Sequence, residues 1–168
     1  MKYYIGIDNG LSGGITVIDD NQKIVHSIVM PVIKGKKTEY DTNKIVDFLR
    51  ELEEAVSVDN LFVCLEKAHV RPVSGKRACF MTGFGYGLIQ GVLQSLYISY
   101  EIVSPNEWMK DILKGLDNTD KKGSIMWAKR KYSNHHWPAT ERSKKPHDGK
   151  TDSCAMAVYC YRRNEGII

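Results

Sequence analysis

Apolar positions along the first thirty residues come in three short bursts. YYIGIDNG reads as a strand ending in a glycine turn; GGITVIDD and KIVHSIVM read as two more, joined by the polar DDNQ. Three strands so closely connected predict an antiparallel meander. The period then changes. DTNKIVDFLRELEEAV sets Ile45, Leu49, Leu52 and Val56 at helical spacing, with Asp41 or Thr42 available as the cap. LFVCLEK is a continuous apolar run of strand length, expected of a strand buried on both faces, and it stops at Glu66.

ACFMTGFGYGLIQGVLQSLY predicts a long buried helix leading to the strand YEIVS. Phe80 and Phe84 are expected in its core face. Gly83, Gly87 and Gly91 form a small-residue stripe expected to pack against the sheet, with a dimer contact as the alternative. PNEWMKDILKG opens with Pro105 at the favoured first helical position and Ser104 as cap. KKGSIMWAKRKY and KTDSCAMAVYCYRR are the last two helices. Strands alternating with helices in the second half imply parallel pairing there. The order therefore predicts an α/β domain over residues 1–168, a mixed five-stranded sheet with helices on both faces.

Composition narrows the class. A chain of 168 residues, 42% apolar and 26% charged, suits one globular domain with a substantial core. No apolar run reaches bilayer length and MKYYIGIDNG is no signal peptide, so a cytoplasmic protein without membrane contact is expected. Cys64, Cys79, Cys154 and Cys160 show no C-x-x-C pairing, which predicts reduced thiols.

The net charge of +4 is mild but unevenly spread. EYDTNKIVDFLRELEEAVSVD is acidic. Between Lys110 and Lys150 the chain gathers Lys121, Lys122, Lys129, Arg130, Lys131, Arg142, Lys144 and Lys145. Such asymmetry points to a polyanion surface, against the plainer alternative of a solvated face. SNHHWPATERSKKPHDG reads as a polar loop. Its adjacent His135 and His136 would point apart on a regular element, which argues against a metal site there.

Four carboxylates remain. Asp8 ends the first strand, Glu66 ends a central one, and both fall at the sheet edge where α/β folds place their sites. Asp148 and Asp152 are four apart and share a face of the last helix. Each has a plain structural explanation: a turn residue, a strand-end charge, acids favoured at a helix N-terminus. Together they suggest more. Clustered carboxylates repel unless protonated or bound to cations, and oxygen-only ligands suit Mg²⁺ or Mn²⁺. Two such ions can activate water against a phosphodiester, which the basic region would hold.

The sequence resembles the RuvC-type Holliday junction resolvases, which share the ribonuclease H-like fold, and among them the small phage-borne members. YIGIDNGLSGGITVI looks like their first strand and hairpin, VCLEKAHV like the strand bearing the catalytic glutamate. IVSPNEWMKDILKG and HDGKTDSCAMAVY match the later strand-helix and the C-terminal acidic segment. The likeness spans nearly the whole chain. It implies a homodimer that nicks opposing strands of Holliday junctions and other branched DNA, in recombination or phage DNA processing. Asp8, Glu66, Asp148 and Asp152 would be catalytic and hold two Mg²⁺ ions, with Mn²⁺ as substitute.

One departure bears on the ligands: the bacterial pattern separates its last two acids by three residues, and here the separation is four. Asp152 is the firmer match, and Asp148 or His147 completes the site. Arg71, Lys76 and Arg77, in the basic loop after Glu66, would contact phosphates, as would Lys121, Lys122, Lys144, Lys145 and Lys150. Two other functions compete. A branched-DNA-binding module without catalysis would not require four acids. An actin-like ATP-binding protein would suit GIDNGLSGG but needs a duplicated subdomain and leaves the later acids unexplained.

Overall fold

The antiparallel meander forms as the pattern predicts, in a computed structural model that describes residues 1–70, 75–116, 123–140 and 142–168. Its strands are β1 (Tyr3–Asp8), β2 (Gly14–Asp19) and β3 (Ile24–Val29). Two further strands join beyond β1, β6 (Leu61–Glu66) and then β7 (Tyr100–Val103), both parallel to their neighbours. The mixed sheet of five strands has the order β3-β2-β1-β6-β7. A small hairpin of β4 (Val32–Ile33) and β5 (Glu39–Tyr40), which the sequence pattern does not show, stands apart from it.

Strand alternation divides the core into two layers. Ile5, Ile7, Val63 and Leu65 face one side, where α1 (Thr42–Val56) brings Ile45, Leu49 and Leu52. On that side α2 (Lys76–Ser95) brings Ile89, Val92 and Leu93. Tyr4 and Cys64 face the other side, against α3 (Pro105–Ile112) and α5 (Asp148–Asn164). The remaining helix, α4 (Gly123–Lys131), packs on α5.

Caps fix the helix starts. The Asp41 carboxylate accepts the Lys44 amide at 3.3 Å, and the Ser104 amide donates to Glu107 Oε2 at 2.6 Å, with Pro105 as the first helical residue. None of the four cysteines is in a disulfide. Among the described residues no helix is long and apolar enough to cross a membrane.

Helix α2 departs from the sequence expectation. Only Gly85, Ile89, Val92 and Leu93 are buried along its length. Phe80 is 68% exposed and Phe84 48%, their rings stacked with centroids 6.0 Å apart. Among the described residues nothing lies within 4 Å of a would-be Cβ on Gly83, Gly87 or Gly91, so the stripe faces outward and does not pack on the sheet. The reason is angular: residues two apart on a helix differ by about 200°. Burying Gly85 therefore turns Gly83 and Gly87 outward. Gly85 is where close approach is needed, since a Cβ there would meet the Tyr40 hydroxyl at 2.0 Å.

Candidate active site

Because β1 and β6 are parallel with Ile7 opposite Leu65, their C-terminal ends finish side by side. That brings together Asp8, the last residue of β1, and Glu66, the last of β6. Helix α5 supplies the rest. It lies directly on β1, where a Cβ at Gly6 would sit 2.0 Å from the Ser153 carbonyl oxygen, so only glycine admits the helix backbone. Its first turn then carries Asp148 and Asp152 to the β1–β2 turn. All four carboxylates line one cavity of about 800 Å³.

Their electrostatics reflect crowding. Burial drives the Asp8 carboxyl above its ordinary range; the Gly10 amide, donating to Oδ1 at 3.1 Å, opposes this, Asp148 adds to it, and His147 offsets part. Glu66 is pushed up to about 8, first by burial, then by Asp8 and Asp152, with the Trp108 indole pulling the other way. Such a cluster favours shared protons or a bound cation. Among the described residues, no three His, Cys, Asp or Glu side chains close into a ready-made metal cluster. The donors facing the cavity are nevertheless hard carboxylate oxygens under mutual repulsion, a set that fits Mg²⁺ or Mn²⁺ better than softer metals.

Several neighbours frame the acids without being evident in the sequence. Asn9 Nδ2 donates to the Glu66 carbonyl at 2.5 Å, tying the ends of β1 and β6 together. The Tyr40 hydroxyl donates to the Asn9 carbonyl at 2.9 Å, so the β4–β5 hairpin clamps the same turn. Lys67 and Trp108 also line the cavity. His147 is the N-cap of α5; its amide donates to the Trp137 carbonyl at 2.6 Å and its Nδ1 is buried without a partner.

The basic residues fall in separate places. Lys76 and Arg77 are exposed at the start of α2, and Lys144 and Lys145 are exposed in the loop before α5. A second cavity of about 800 Å³ is lined by Lys129, His135, His136, Trp137 and Lys144. Lys150 shares the first turn of α5 with the acids but stands about 200° around it from both. Its Nζ donates to the Pro138 carbonyl at 3.3 Å. Arg71, Lys121 and Lys122 lie outside the described residues.

No family profile and no curated protein sequence matches the chain. Solved structures do match in shape. RuvC of Thermus thermophilus in complex with a Holliday junction substrate superposes with a TM-score of 0.62 at 12% identity, covering 99% of this chain and 97% of that one. Another Thermus thermophilus RuvC structure gives 0.61 at 16% identity, over 98% of this chain and 96% of that one. At such identities the likeness establishes the fold. It is ribonuclease H-like. More narrowly, it is the mixed five-stranded arrangement of RuvC, matched over nearly the full length of both chains.

Proposed function

We propose that this protein is a metal-dependent, structure-selective DNA endonuclease that nicks opposing strands of four-way junctions, and of other branched DNA, in recombination or phage DNA processing. One observation carries the reading: on a RuvC fold, Asp8, Glu66, Asp148 and Asp152 converge from three elements on a single cavity.

Asp8, Glu66 and Asp152 hold the cations, and Asp148 or His147 completes the set. Bound Mg²⁺, or Mn²⁺ in its place, two ions to a site, would supply an acidified water and neutralise charge on the phosphodiester. The chain's own part is to present oxygens on fixed strand ends and to keep the crowded carboxylates from rotating apart. Lys76, Arg77, Lys144, Lys145 and Lys150, with Arg71, Lys121 and Lys122, hold the DNA. Phosphate contacts of this kind position a duplex without reading its sequence.

Paired nicks need paired sites, and an isologous homodimer provides them. The outward face of α2, with its stacked phenylalanines and bare glycines, supports such a pairing. An actin-like ATP-binding reading leaves the meeting of Glu66 with Asp152 unexplained.

The test compares labelled four-way junction, fork and linear duplex, each with Mg²⁺, Mn²⁺ or EDTA, with Asp152→Asn as control. Symmetric, metal-dependent nicks in the junction that vanish in the variant are the expected result. Tight binding with no cut under any condition would favour a non-catalytic branched-DNA-binding module.

A further inference from the structure

Trp108 has a place in the acidic cavity that packing alone does not explain. In the sheet register Glu66 lies opposite Val103, and α3 begins two residues further on. The first turn of α3 therefore sets Trp108 over the C-terminal end of β6, where it lines the same cavity as Glu66. The residue is 2% exposed and packs among Val103, Ile112, Leu113 and Met156. Its Nε1 is buried and closes no hydrogen bond among the described residues.

A buried donor left unpaired costs about 1–3 kcal/mol. The indole N–H has only a donor's role, so it must find an acceptor or remain a liability. Glu66 is the acceptor that the fold sets beside it: it ends the strand that Trp108 covers, and both residues line one cavity.

We infer that Trp108 is a positioning residue, whose indole N–H closes on one carboxylate oxygen of Glu66, fixing the rotamer and leaving the other oxygen free for a cation. The cation belongs to the endonuclease reading; the indole–carboxylate contact stands without it. The chemistry favours indole for this task. A lysine or arginine there would neutralise Glu66 and compete with a divalent ion, whereas a neutral donor orients the carboxylate and leaves its charge available. Partners that orient metal-ligating side chains act in this way elsewhere.

The test has two independent arms. In the first, the Trp108 indole ¹H–¹⁵N resonance, assigned by its loss in Trp108→Phe, is compared in metal-free wild type and Glu66→Gln at about pH 9. A downfield, exchange-protected proton in wild type that moves upfield in Glu66→Gln is expected. An indole resonance indifferent to Glu66→Gln would overturn the contact. This arm needs no activity, so it remains decisive even if the protein cuts nothing.

In the second arm, calorimetry measures Mn²⁺ binding. Trp108→Phe keeps most of the apolar bulk and is expected to weaken binding roughly 10- to 100-fold. The same substitution in a Glu66→Gln background should add nothing further. Equal affinity in wild type and Trp108→Phe, or equal losses in both backgrounds, would reduce Trp108 to a packing residue.

Discussion

Gly149 meets Gly13 backbone to backbone: a Cβ on Gly149 would lie 2.6 Å from the Gly13 Cα and 2.4 Å from the Ser12 carbonyl oxygen. This contact seats the first turn of α5, which carries Asp148 and Asp152, on the turn that follows Asp8. Spacing between the acids is therefore set by two residues that carry no side chain.

Gly149→Ala tests the consequence. The methyl group meets backbone, which cannot rotate away, and overpacking of this kind costs about 1–3 kcal/mol. The added separation should slow nicking more than stability alone explains, because misplacement on the order of 1 Å can cost about 100-fold. Denaturant unfolding and single-turnover nicking, both at a temperature where the variant is folded, measure the two effects. A destabilised variant with an undiminished rate would show that the spacing is slack.

Crowded carboxylates also make a stability prediction that needs no substrate. Glu66 is raised from 4.5 to about 8 in the folded protein, so between those values the folded state holds a proton that the unfolded state releases. Its contribution is full below the unfolded value and is lost as pH rises through the folded one. Metal-free wild type should therefore melt lower at pH 8.5 than a Glu66→Gln variant, which mimics the protonated acid. Each kcal/mol recovered is worth roughly 2–4 °C at this chain length. Adding Mg²⁺ should raise the wild-type midpoint and leave the variant's nearly unmoved. Thermal melts in EDTA and in Mg²⁺, at pH 5 and pH 8.5, give the comparison; a wild type that melts higher than the variant in EDTA at the upper pH is the contrary result.

The carboxylates were legible in the sequence because strand ends and helix starts leave local marks. An apolar run that stops at Glu66, and two acids four apart before an apolar helix, need no tertiary knowledge to notice. What brings them together is not local. Gly6, Gly13 and Gly149 matter for the backbone each meets, and Asn9 and Tyr40 for partners far along the chain. Helix α2 misled for a related reason: its apolar residues encircle the helix, so periodicity could not say which face the sheet would take. Phe80 and Phe84, expected in the core, stand outside it.

Basic residues in the loop before α5 make a salt prediction. Lys144 and Lys145 are exposed and sit in the loop that leads into α5. If each neutralises one phosphate, junction affinity should fall steeply with salt, and the double variant Lys144→Ala, Lys145→Ala should flatten the log–log slope by about 2. Fluorescence anisotropy on a labelled junction across a salt series measures it, using Asp152→Asn to prevent cutting. Weaker binding with an unchanged slope would mean that these lysines act on folding and not on phosphate.

The outward face of α2 makes the last prediction. Phe80, Gly83, Phe84, Gly87 and Gly91 recur at spacings of three and four, which puts them along one side of the helix. Large aromatic rings beside glycines with open space around a would-be Cβ, among the described residues, form a surface with bulk at one end and room at the other. A second copy, turned about a two-fold axis, would lay its phenylalanines over these glycines and receive the same in return. Both aromatic rings would then leave water, an association driven by apolar burial and weakened little by salt. Phe84→Asp puts a charge in the middle of that seam and should yield a folded monomer by sedimentation at concentrations where wild type is dimeric. Junction binding should fall with it, because the two DNA-holding surfaces would no longer be joined. A wild type that sediments as a monomer, or a variant that stays dimeric, would remove α2 from the interface and leave the exposed phenylalanines without a role.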